Sequence, residues 1–132
     1  MTFSYVVPVV VVTILNILLG MLWYSPLLVG PIWAKAYKFD LKKLKPTPWH
    51  YAGSVLVSLI TVSILDFLIH RFEITTWREG MLLGFYLWLG LVATTHFSGV
   101  IWAKKPIRVY FIDLGYFFIS IEMIGILLAV WQ

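Results

Sequence analysis

Four long apolar stretches occupy most of this 132-residue chain, more hydrocarbon than a soluble fold of that length can bury. A helix of about 20 apolar residues crosses the ~30 Å hydrocarbon layer of a bilayer. Backbone in lipid has to satisfy its own hydrogen bonds, which selects helices or closed barrels. The stretches are long enough for helices. They predict an all-α chain, a four-helix up-and-down bundle integral to the membrane, with spans at about 5–24, 48–71, 77–103 and 107–131.

Composition supports one transmembrane domain over residues 1–132, since 61% of the residues are hydrophobic and 12% charged. The spans leave no room for a soluble catalytic domain. The chain has no cysteine, which excludes disulfides, thiolate metal sites, iron–sulfur clusters and cysteine nucleophiles. The opening Met1-Thr2-Phe3-Ser4-Tyr5 lacks the basic region of a secretory signal, so the first span is expected to be retained. The formal charge of +4 comes from lysines beside spans, where anionic lipid headgroups attract them. The expected partner is therefore the lipid bilayer and not nucleic acid.

Local signals fix the ends of the spans. Ser25-Pro26 closes the first, and Thr47 with Pro48 opens the second as N-cap and first helical residue. Thr76-Trp77-Arg78-Glu79 has the capping-box spacing for the third, while Lys104-Lys105-Pro106 is a turn short enough to make spans three and four antiparallel neighbours. Lys35, Lys38, Lys42, Lys43, Lys45, Lys104, Lys105 and Arg108 lie in the first and third loops, against Arg71 and Arg78 around the second. Basic residues stay on the cytoplasmic side, so both termini are expected outside an inner, cytoplasmic membrane.

The first loop has helical periodicity of its own. Trp33, Tyr37, Leu41 and Leu44 fall on one side and Lys35, Lys38, Lys42 and Lys45 roughly opposite, which predicts an amphipathic interfacial helix over about 31–45. Gly30-Pro31-Ile32-Trp33-Ala34-Lys35 also matches Gly99-Val100-Ile101-Trp102-Ala103-Lys104, as a duplicated two-span unit would.

Ionisable residues inside the spans are the candidate site, because a charge in hydrocarbon is costly and usually functional. His96 and Asp113 each fall roughly 9 Å from the middle of their spans, toward the lysine-rich side, so the hairpin predicts that they pair. Thr94, Thr95 and Tyr24 complete that layer. On the other side lie Asp66, with His70 one turn on, and Glu122; Asn16 is near the centre of span one. The bland reading is that polar side chains tie helices together, at roughly 0.6 kcal/mol per bond. It suits Asn16, Ser58, Thr61 and Ser63 well. Gly80 and Gly84 form a GxxxG step, Gly90, Thr94 and Ser98 continue at four-residue spacing, and Thr13, Asn16 and Gly20 share a side of span one. These faces predict close approach of spans one and three or of two protomers.

No nucleophile triad, phosphate-binding glycine loop, HExxH motif or paired haem histidines at one depth can be found. Neither cofactor nor metal is expected. Two functions fit: an oligomeric permease or channel for a proton, small cation or small solute, or a non-catalytic accessory subunit of a larger membrane complex.

Leu22-Trp23-Tyr24-Ser25-Pro26-Leu27-Leu28-Val29-Gly30 resembles the LWYSPLLFG signature of a family of small membrane proteins known as a domain of unknown function. Trp88-Leu89-Gly90, Ala93-Thr94-Thr95-His96 and Asp113-Leu114-Gly115-Tyr116 are similar to its later spans. The chain departs from that pattern at Phe97 and Ser98, and at Asp113, where relatives carry asparagine. The resemblance implies four spans and no particular activity.

Overall fold

The computed structural model describes residues 3–38 and 47–131 and is helical throughout its regular elements. Helix α1 is Phe3–Trp23, α2 Gly30–Ala36, α3 Pro48–Arg71, α4 Trp77–Leu87, α5 Thr94–Trp102 and α6 Ile107–Val130. A π-helical turn, Trp88–Ala93, joins α4 to α5, so the third span, Trp77–Trp102, is a single rod with a wider turn at its centre. Four of the rods are long and apolar enough to cross a membrane.

Helix α6 is the hub of the bundle. It packs along the third span on one side and against α1 and α3 on the other, with α2 across its first turns. The apolar core lies toward the end away from the lysines, where Val9, Val12, Val62, Leu65 and Ile69 meet Ile121, Ile124 and Leu128. Much of the remaining surface is Leu, Ile, Val and Phe, as lipid allows.

Glycine sets the closest approach. A Cβ on Gly80 would press into the carbonyl oxygen of Gly125 and come within 2.8 Å of the Ala129 Cβ; one on Gly84 would lie 2.5 Å from Glu122 Oε1. The GxxxG step of the third span thus packs on α6, not on span one. Gly20 of α1 also faces α6, at Tyr116. Gly80 and Gly84 of the third span and Gly20 of α1 are thus used separately against the last helix, while Gly90, Thr94 and Ser98 are exposed.

The helix ends follow from local chemistry. Beyond Trp23, the Ser25 hydroxyl donates to Leu22 O and accepts from the Leu27 N–H, while Gly30 N–H returns to Ser25 O. A Cβ on Gly30 would come within 2.6 Å of that same oxygen, so the final glycine of the LWYSPLLVG run is what lets the chain fold back. Thr76 caps α4 by accepting from the Glu79 N–H at 3.2 Å; the glutamate in turn accepts from the Thr76 hydroxyl instead of from the cap backbone. At α3 the box is closed by an imidazole, with Thr47 N–H donating to His50 Nδ1 at 3.0 Å. Glu73 takes a left-handed φ of 54° after α3, and the Ile74 N–H reaches Ile69 O, the hydrogen bond of a Schellman cap.

The segment expected as an interfacial helix over about 31–45 is helical from Gly30 to Ala36, and Lys38 has φ 62°. Leu41, Lys42, Lys43, Leu44 and Lys45 lie outside the described residues. Gly30 and Ala34 are buried, and the Trp33 ring meets Tyr24 edge-on at 5.1 Å, so α2 docks on the bundle as well as facing its surroundings.

Candidate functional site

The ionisable residues separate into four settings. Asp113, in the second turn of α6, receives the Tyr24 hydroxyl on Oδ1 at 2.5 Å and Lys105 Nζ on Oδ2 at 3.1 Å. Lys104, with φ 56°, turns the chain after α5 so that the Lys105 N–H reaches Gly99 O. That turn aims the ammonium at α6. Trp23 Nε1 donates to Ile112 O at 3.2 Å beside it, so the end of α1, the loop before α6 and α6 itself are clasped at one point.

His96 and Asp113, expected to pair across the hairpin, take other partners. His96 Nδ1 donates to Val92 O at 2.9 Å, and its ring lies 4.9 Å from that of Phe117. A carbonyl can only accept, so Nδ1 carries a proton. Thr94 and Thr95 bond in the same way to Gly90 O and Leu91 O, and Tyr110 of α6 donates to Ala93 O at 3.0 Å. Four successive carbonyls of the π-helical turn therefore each receive a side-chain donor. That gives the Thr-Thr-His run a local role, in a turn type that concentrates at functional sites.

Toward the other end, His70 Nδ1 stands 3.4 Å from Asp66 Oδ1 and 2.8 Å from Asp66 O, the i,i+4 contact expected on α3. Glu122 is 9% exposed, with its Oε1 against Gly84 and no hydrogen-bond partner for that oxygen among the described residues.

Asn16 is the centre of a different cluster. Its Nδ2 donates to Ser58 Oγ at 3.1 Å and its Oδ1 accepts from the Ser120 hydroxyl, so one amide links α1, α3 and α6 in the middle of the bundle. All three are buried. Beside this link open two adjoining cavities of about 400 Å³ and 550 Å³, both walled by Ser54, Ser58 and Tyr116 and both reaching His50. No Asp, Glu, Lys or Arg lines either cavity among the described residues. Of the residues singled out from sequence, Asn16, Tyr24, Gly20, Ser58 and Thr61 lie on these walls, and Asp66, His96, Asp113 and Glu122 do not.

His50, Ser54, Ser58 and Tyr116 are polar lining shared by both cavities, and sequence reasoning passed over them as residues of a site. One signal was available. Ser54, Ser58 and Thr61 recur at spacings of four and three, which places hydroxyls on one face of an otherwise apolar α3. No group of three or more metal-ligating side chains converges among the described residues.

A family model described as a protein of unknown function (DUF1761) matches residues 7–129. No curated protein and no solved structure matches the chain.

Proposed function

This chain belongs to the DUF1761 family of proteins of unknown function, and we propose that it is a small membrane permease that takes an uncharged solute into the crevice between α1, α3 and α6. The observation that carries this reading is the crevice itself: hydroxyls, one amide and the His50 imidazole, with no Asp, Glu, Lys or Arg on its wall among the described residues, set beside a tightly packed apolar core. Such a mixture of apolar wall and few polar groups is the usual make-up of a small-molecule site.

Four rods around a filled core leave no wide pore, so a second copy is expected to complete the open side of the crevice. The lysine bias orients the Tyr24, Asp113 and Lys105 clasp toward the cytoplasm of an inner membrane, with both termini outside. A proton or small cation is a harder cargo to accommodate. Asp113 is already matched by Lys105, and Glu122 is nine residues, roughly 13 Å, further along α6.

Reconstitution in liposomes tests the reading. Swelling in an acetamide gradient faster than that of empty vesicles is expected, along with a homo-oligomer in mild detergent. Equal swelling across neutral solutes, with no proton or cation flux either, would sink it.

The second reading, an accessory subunit of a larger membrane complex, draws on a different surface. Gly90, Thr94 and Ser98 are exposed along the third span and offer a neighbouring helix close approach. A stoichiometric partner that survives purification would favour it.

A further inference from the structure

We infer that the crevice selects molecules with an apolar body and an uncharged carbonyl acceptor, and that Ser58 is the group that recognises the carbonyl. The inference deepens the permease reading by naming its solute class. It starts from where the serine and threonine protons on the wall go. Ser54 donates to His50 O at 2.9 Å, Thr61 to Val57 O at 2.9 Å, and Ser120 to Asn16 Oδ1. Those protons are spent inside the protein. Ser58 differs, because its oxygen accepts from Asn16 and its own O–H has no acceptor among the described residues.

Ser58 is 7% exposed and lines both cavities, so water has little access to a donor that is expensive to leave unmatched. His50 adds a second donor at the mouth. Its Nδ1 is taken by the Thr47 N–H, which places the neutral ring's proton on Nε2. Spare oxygen lone pairs at Ser54 and Thr61 are cheaper to leave idle than these protons. The surrounding Ile17, Met21, Val55 and Val57 provide apolar wall. A carboxylate would find no counter-charge there, and a polyol would bury hydroxyls against hydrocarbon. A ketone, ester or quinone carbonyl on an alkyl body satisfies donor and wall together.

The probes are 2-undecanone, 2-undecanol and undecane, added to the full chain in lipid nanodiscs and read by thermal unfolding, since a ligand that binds only the folded state raises Tm. The ketone is expected to raise Tm most, the alcohol less and the alkane not at all. Ser58→Ala should reduce the ketone's shift to that of the alkane, and Ser58→Thr, which keeps the hydroxyl, should restore it.

Equal shifts from ketone and alkane would overturn the inference and mean that the crevice holds acyl chains without polar recognition. So would a larger shift from the alcohol, or a Ser58→Ala protein that still prefers the ketone. If Ser58→Ala does not fold, the ranking of the three probes on the unaltered chain decides alone. Binding is read here without flux. Ketone binding with no solute flux would remove the permease reading and leave the site, whereas flux without ketone preference would remove the inference and leave the permease.

Discussion

The two ends of the bundle are built from the same helices and follow opposite rules. Away from the lysines, Gly80 meets Gly125 backbone to backbone, Ile124 and Leu128 are fully buried, and Glu122 is pressed against Gly84 with no partner for Oε1 among the described residues. Nearer the lysines, side chains bond to one another across three helices and leave a crevice between α1 and α3. The difference teaches where this molecule has spare volume. Close-packed glycine contacts have no slack for a methyl group, whereas a hydrogen-bonded clasp keeps helices in register without filling the space between them.

The comparison breaks most easily at Gly80. Gly80→Val should cost about 3 kcal/mol, at the upper end of the overpacking range, because the obstruction is the backbone of α6 and cannot rotate away. Thermal unfolding in mild detergent reads it; a loss under half that size would mean the interface is looser than described. Next is Lys105→Met at the opposite end, which leaves Asp113 with the Tyr24 hydroxyl alone. A loss of about 2 kcal/mol is expected, relieved in the double variant with Asp113→Asn, since much of the cost is an unmatched carboxylate. If the double variant is as unstable as the single, the clasp is not electrostatic.

Smaller effects sharpen the picture. Asn16→Ala removes two interhelical bonds at roughly 0.6 kcal/mol each, so a loss near 1 kcal/mol and a wider crevice are expected; an unchanged Tm would reduce the amide to a passenger. Gly90→Ala is the control for Gly80. A Cβ there meets nothing within 4 Å outside its own helix, so stability should hold or rise by up to ~1 kcal/mol from helix propensity. A marked loss would show that Gly90 is covered by another chain, in line with the accessory reading.

Some of the site was legible in the chain and some was not. Asp66 and His70 are one turn apart on a single helix, so their contact followed from spacing alone. His96 and Asp113 were placed at one depth by the same arithmetic, but depth says nothing of azimuth. Around the helix axis His96 turns to Phe117 and the Val92 carbonyl, and Asp113 turns to Tyr24, a residue 89 positions earlier. Ser58 read as a helix tie from sequence. Its tie to Asn16 exists, yet whether its proton is also spent depends on three helices at once.

What the sequence determined by itself is the class and the rods: an all-helical chain with four apolar segments long enough to span a bilayer, punctuated by Ser25-Pro26, Thr47-Pro48 and Thr76 through Glu79. Those properties are local, set by hydropathy, backbone satisfaction and caps within a few residues. Tertiary structure decided that α6 is the hub, that Gly80, Gly84 and Gly20 pack on it, and which polar groups meet. Helices in lipid gain no burial of apolar surface from one rotation over another, so rotation is settled by close packing and interhelical hydrogen bonds, and these exist only once all the rods are in place.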